Sequence, residues 1–160
     1  MLRRRGIIAL LAVLLVSVFG GLALAQSAHF VRASASGPSG SGTLSVNFKM
    51  AGLGEAVTTT VTASANATAV YACQNNGGNF PSDPRKQQAS GPVGASGDFT
   101  SGKNGQVTGS LTLSPPASTL DCPGGQRVVL AAVGFTNVSV SAEDAGQSIP
   151  GTFSRVFFRI

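Results

Sequence analysis

Cys73 and Cys122 are the only cysteines of the 160-residue chain, and their thiols are its clearest candidates for covalent chemistry. Two cysteines allow a single pairing, and an even count in a small domain of an oxidising compartment favours a disulfide. The bond would close a loop of 49 residues. Loop closure of that length stabilises a fold by about 4 kcal/mol. Zinc is the weaker alternative, because neither cysteine has a histidine or a second C-x-x-C nearby.

Side chains that could carry out catalysis are few and scattered. His29 is the only histidine, and it falls near the start of the mature chain, where backbones usually fray. A serine–histidine–carboxylate arrangement would depend on that one residue. The carboxylates lie in separate predicted turns, apart from one adjacent pair: Glu55, Asp83, Asp98, Asp121, Glu143 and Asp144. The sequence therefore predicts a protein that is not an enzyme and that has no metal site and no cofactor.

Residues 1–25 have the three parts of a secretory signal peptide. Arginines at positions 3–5 form a positive start, residues 7–19 form an apolar core, and Ala23-Leu24-Ala25 fits a signal peptidase site. We predict cleavage before Gln26, which leaves residues 26–160 as a single secreted domain. An uncleaved membrane anchor is the alternative, because the apolar stretch is just long enough to span a bilayer. With cleavage, the protein would meet a membrane only through its signal peptide.

The charge of the mature chain is small. The whole chain has 11 basic and 6 acidic residues, and loss of the three N-terminal arginines leaves a net charge of +2. These charges are scattered, and the chain has one tyrosine and no tryptophan with which to stack bases. A nucleic-acid-binding domain normally has a concentrated basic surface. Nucleic acid is therefore excluded as a partner.

Apolar and polar residues alternate along most of the mature chain. In residues 44–50 the pattern is Leu, Val, Phe and Met separated by polar residues, which is typical of a half-buried strand. Similar patterns predict strands at 29–35, 56–63, 68–73, 106–114, 138–140 and 152–160. The apolar run 128–135 predicts a central strand covered on both faces. The fold class is all-β: one antiparallel, immunoglobulin-like β-sandwich of seven to nine strands, with a closed barrel as the alternative.

Two segments are candidate binding elements. Residues 75–97 are predicted to be a long irregular loop with Arg85 and Lys86 at its tip, since long loops are commonly functional. The C-terminal strand has one face of Phe153, Arg155, Phe157 and Arg159, residue types that are enriched at binding hot spots. If Phe153 and Phe157 instead face the core, the arginine stems would lie along the rim of the sandwich.

The stretch Ala69-Val70-Tyr71-Ala72-Cys73, the Asn-Gly-Gly-Asn turn after it and Cys122-Pro123-Gly124-Gly125-Gln126 resemble small secreted actinobacterial β-proteins. These proteins have no assigned activity, and the resemblance implies only fold and export.

The function expected from the sequence is binding, by a secreted protein that recognises an extracellular protein or an envelope component. Two alternatives remain: an inhibitor of a secreted hydrolase that uses the 75–97 loop, and a homo-oligomeric surface subunit that assembles through its C-terminal strand.

Overall fold

A computed structural model describes residues 27–143 and 145–160, and within them the chain forms strands and no helix. The predicted signal peptide lies outside the described residues. There are eight strands: β1 (His29–Ser36), β2 (Leu44–Ala51), β3 (Thr58–Asn75), β4 (Lys86–Thr100), β5 (Val107–Leu113), β6 (Gln126–Ala142), β7 (Ala145–Ile149) and β8 (Phe153–Val156). They form two antiparallel sheets packed together, which confirms the predicted all-β sandwich.

The small sheet has the order β1-β2-β5, and the large sheet has the order β4-β3-β6-β7. The remaining strand, β8, also pairs with β6. β7 and β8 lie end to end along the same side of β6, because β7 pairs with residues 138–142 and β8 with residues 132–135. β4 forms the opposite edge of the large sheet.

The core forms because alternate side chains of each sheet point towards the other sheet. The small sheet contributes large side chains, among them Leu44, Phe48 and Met50, which are almost completely buried. β3 contributes a row of alanines opposite them, at positions 63, 65, 67 and 69. Large residues that face small ones allow the two layers to pack closely.

Three phenylalanine rings form a row of edge-on contacts, with Phe48 in the middle. Phe48 of β2 lies edge-on to Phe30 of β1 at 6.1 Å between ring centroids, and to Phe99 of β4 at 4.9 Å. Gly109 of β5 pairs with Phe48, and a side chain at Gly109 would collide with the rings of both Phe48 and Phe99. The glycine therefore leaves the space in which a ring of the large sheet meets a ring of the small sheet.

Three sequence-based predictions need correction. Residues 56–63 and 68–73, predicted as separate strands, belong to the single strand β3. The predicted loop 75–97 shrinks to residues 76–85, because β4 begins at Lys86. Residues 128–135 and 138–140, also predicted as separate strands, belong to the single strand β6.

β6 also differs from its prediction as a strand covered on both faces. Only alternate residues such as Ala131, Val133 and Phe135 are buried, because no further layer covers the other face within the described residues. Asn137 then forms a bulge with φ at 51°, a conformation that asparagine tolerates well. Beyond the bulge the alternation resumes, with Val138 and Val140 in the core.

Candidate functional site

The disulfide between Cys73 and Cys122 is present, with 5.6 Å between the two Cα atoms. Cys73 is buried near the end of β3, and Cys122 belongs to the segment 114–125, which connects the small sheet to the large one. We call this segment the strap. The predicted disulfide is thus confirmed, and it holds the strap against the end of the large sheet.

Hydrogen bonds from side chains of β3 and β4 also hold the strap. The hydroxyl of Tyr71 donates to the carbonyl oxygen of Pro116 at 2.6 Å. The side-chain oxygen of Gln87 accepts from the hydroxyl of Ser118 at 2.8 Å and from the amide of Thr119 at 2.9 Å. The strap is therefore anchored to β3 and β4 at points independent of the disulfide.

Burial raises the pKa of the Tyr71 phenol above its ordinary value of 10.0. The neutral phenol is thus favoured in the folded state, and the unfolded chain ionises first as the pH rises through 10.0. The resulting stability is fully present below that pH and is lost above it.

We expect Tyr71→Phe to lower the free energy of unfolding by about 1 kcal/mol at neutral pH, because the bond to Pro116 is lost. Above pH 10.0 the difference between the variant and the wild type should shrink. Urea unfolding of both proteins at neutral and alkaline pH checks this. A difference that stays constant over this range would contradict it.

The outer face of the large sheet, turned away from the core, divides into two regions. The first is lined by small hydroxyl side chains that bond to one another across strands. Thr58 bonds Thr100 at 2.8 Å, and Thr62 bonds Ser96 at 2.8 Å. Between them, Thr60 donates to the carboxylate of Asp98 at 2.6 Å. These hydroxyls satisfy one another, so the region is flat and polar.

The second region is apolar and lies at the end that carries the disulfide. Val70 of β3 pairs with Ala132 of β6, and Ala132 pairs in turn with Val156 of β8. Paired residues of neighbouring strands share a face, so these three side chains form a row across the sheet. Val156 is 65% exposed.

Phe158 extends this row. Its amide donates to the carbonyl oxygen of Ala131 at 3.1 Å, and the residue is 39% exposed. Phe80, from the loop 76–85, lies edge-on to the Phe158 ring at 5.4 Å between centroids. We call Val70, Ala132, Val156, Phe158 and Phe80 the apolar patch.

Of the four C-terminal side chains singled out from the sequence, the two phenylalanines lie on the core side and the two arginines are exposed. Phe153 and Phe157 are half-buried and pack against the core, as in the second of the two arrangements considered above. The guanidinium of Arg155 lies 5.1 Å from the centroid of the Phe157 ring and donates to the carbonyl oxygen of Pro38 at 3.2 Å. Arg159 is exposed. The exposed apolar side chains of this segment are instead Val156, Phe158 and Ile160.

The two basic residues predicted at a loop tip flank the start of β4. Arg85 is exposed, and its guanidinium lies 3.5 Å from the carbonyl oxygen of Asp121 in the strap. Lys86 is the first residue of β4 and is exposed opposite Ala72. Both residues therefore belong to the end of the molecule that carries the disulfide, the strap and the apolar patch.

The described residues contain no group of three or more histidine, cysteine or acidic side chains that could hold a metal ion. His29 is exposed at the start of β1, where its Nδ1 lies 2.9 Å from the carbonyl oxygen of Ser27. In the same part of the chain, no helix is long and apolar enough to cross a membrane.

The fold and the strap define a small β-sandwich with one disulfide. Compared with known protein families, with curated proteins and with solved structures, the chain has no match. The resemblance to secreted actinobacterial proteins stays a prediction. The apolar patch is the feature from which a function can be argued.

Proposed function

We propose that this chain is a secreted, non-enzymatic binding protein that recognises an extracellular protein or an envelope component through its apolar patch. The observation that carries the proposal is the exposure of Val156, at the end of β8, and of Phe158, two residues further on, at 65% and 39%. Scattered single apolar residues are ordinary on protein surfaces, whereas a contiguous group usually marks an interaction site. The disulfide supports export, because such bonds persist in oxidising compartments.

The position of the patch also favours binding. Val70, Ala132 and Val156 stand on three strands in register, so their geometry is fixed by the sheet. Phe80 and Phe158 add aromatic rings, which contribute large contact areas at low entropic cost. Lys86 and Arg127 are exposed near the starts of β4 and β6, at the same end of the sheet as the patch. Their positive charges would favour a partner with acidic residues around its contact surface.

The test is a pull-down from the extracellular and envelope fractions of the producing cells, with residues 26–160 as bait. We expect a partner that binds the wild type and is lost with Val156→Ser/Phe158→Ser. The matched control is Val31→Ser/Val57→Ser, which removes valines that are 53% and 40% exposed outside the patch. Capture that is equal for both double variants would contradict a binding role for the patch.

The same pull-down distinguishes simple binding from the alternative function, inhibition of a secreted hydrolase. Its candidate insert is now the loop 76–85, whose start is held by a bond from the Asn75 amide to the Asn79 carbonyl oxygen at 3.0 Å. The amide side chain of Gln74 also donates to the carbonyl oxygen of Gly78 at 2.8 Å. A captured hydrolase that loses activity in the complex would favour inhibition over simple binding.

A further inference from the structure

The outer edge of β4 is an unpaired strand edge in the described chain. β4 is 15 residues long and pairs only with β3, in one continuous register without a bulge. Strand edges of this length are templates on which another strand can pair. With 15 residues, β4 therefore offers a longer edge for pairing between copies than β8, which has only four.

Two hydrogen bonds show which backbone groups of β4 face outwards. The amide of Cys73 donates to the carbonyl oxygen of Arg85 at 3.0 Å, and the amide of Ser101 donates to the carbonyl oxygen of Val57 at 2.9 Å. In an antiparallel pair, residues alternate between bonding their neighbour and facing away from it. Odd-numbered residues of β4 therefore bond β3, and even-numbered residues direct their backbone groups outwards. The outward residues are Lys86, Gln88, Ser90, Pro92, Gly94, Ser96, Asp98 and Thr100.

The charges of this edge are complementary to those of a second copy. Lys86 and Asp98 are the only charged residues of β4, and they stand equally far before and after Pro92. Two copies paired antiparallel about Pro92 would place Lys86 of each opposite Asp98 of the other, twice by symmetry. Both residues are exposed on the outer face of the sheet, so opposite charges would meet across the new pair.

Pro92 stands at the centre of this edge and obstructs it. Its nitrogen faces outwards, so the ring carbon occupies the position from which an amide hydrogen would reach a partner's carbonyl oxygen. Every antiparallel register that overlaps Pro92 brings a partner's backbone against this ring. Pairing could proceed only over the shorter pieces on either side.

We propose that β4 is a self-complementary pairing edge for a second copy of this chain, and that Pro92 keeps this edge closed. The favoured occupant is a second copy because the Lys86–Asp98 arrangement matches itself. The proposal uses none of the five residues of the apolar patch, which all lie outside β4, although Lys86 is close to both.

The first test replaces the ring with a strand-forming residue that has an amide hydrogen. We expect the wild type to sediment as a monomer and Pro92→Val to form a dimer. The matched control is Ser90→Val, which adds the same side chain at an outward position but leaves Pro92 in place, and it should stay monomeric. Because the nitrogen of residue 92 faces away from β3, Pro92→Val should keep the wild-type circular dichroism.

The second test asks whether the dimer uses the predicted register. In the Pro92→Val background, Asp98→Lys replaces both attractive pairs with repulsion and should weaken dimerisation by about tenfold. Adding Lys86→Asp places an acidic residue 86 opposite a basic residue 98, so the charges attract again and the dimer should be recovered. Thermal melts of each variant separate these effects from folding, because Asp98 also accepts a bond from Thr60.

Two results would overturn the proposal. A folded Pro92→Val protein that remains monomeric at high concentration would show that the edge is not self-complementary. A wild-type dimer that dissociates on Asp98→Lys alone would show that Pro92 does not close the edge. A Pro92→Val dimer that the charge exchange restores would support both parts of the proposal.

Discussion

A Cys73→Ser/Cys122→Ser variant is expected to unfold with a free energy about 4 kcal/mol lower than that of the wild type. The disulfide joins residues 49 apart in sequence, so its loss releases a long loop in the unfolded chain. For a domain of this size we expect the thermal midpoint to fall by about 15 °C. Calorimetry and urea unfolding of both proteins, without reductant, measure the effect.

The control for this prediction is the wild type with its disulfide reduced, which should resemble the double variant. The strap keeps its bonds to Tyr71 and Gln87 in both proteins, so the fold should survive with lower stability. An unchanged thermal midpoint in the double variant would contradict a stabilising role for the disulfide.

The second large effect is expected from Phe48→Ala, which should lower the free energy of unfolding by about 3–5 kcal/mol. Phe48 is 2% exposed and lies between Phe30 and Phe99, so its removal leaves a cavity where the two sheets meet. The rings cannot close this space without moving the strands that carry them. Urea unfolding followed by circular dichroism measures the loss.

Phe158→Ala is the matched comparison for Phe48→Ala. It removes the same ring from a position that is 39% exposed, where the aromatic neighbour is Phe80 of the loop 76–85. We expect a destabilisation of about 1 kcal/mol, because little apolar area returns to water. If both variants lost the same free energy, Phe48 would not have the role in the core described here.

The sequence predicted the sandwich best where one face of a strand is buried and the other is exposed. β2 and β5 are such strands, and their predicted limits agree with the structure to within a residue or two. In these strands a shift by one residue would expose every apolar side chain, so the pattern defines the fold strongly. The disulfide followed from the even cysteine count together with the predicted export.

The sequence failed to predict β4 because an edge strand does not need an apolar pattern. Its glycines, serines and Pro92 are typical of loops, and none of its residues is buried. What defines the strand is the backbone pairing with β3, which tolerates Pro92 because the nitrogen faces outwards. Residues that break other strands are therefore compatible with this one.

The candidate site was predicted only in part, because both faces of the C-terminal segment are apolar. Phe153 and Phe157 stand at odd positions, and Val156 and Phe158 at even ones. Since large apolar side chains occur on both faces of the segment, the period-two pattern could not show which face is buried. The pairing of Phe153 with Phe135, a fully buried residue, determines it. Phe80 was missed because its contact with Phe158 joins residues far apart in sequence.

The ladder between β3 and β6 has a consequence for how the chain folds. It joins Thr62 to Ser141 and Asn75 to Gln126, so the centre of the large sheet depends on contacts between distant parts of the sequence. Sandwiches dominated by such contacts fold in milliseconds to seconds, far more slowly than helical bundles. During that interval β3 has no neighbour on its β6 side, and only its hairpin with β4 can form early. We therefore expect the rate-limiting step of folding to be the pairing of β6, the last long strand, with β3.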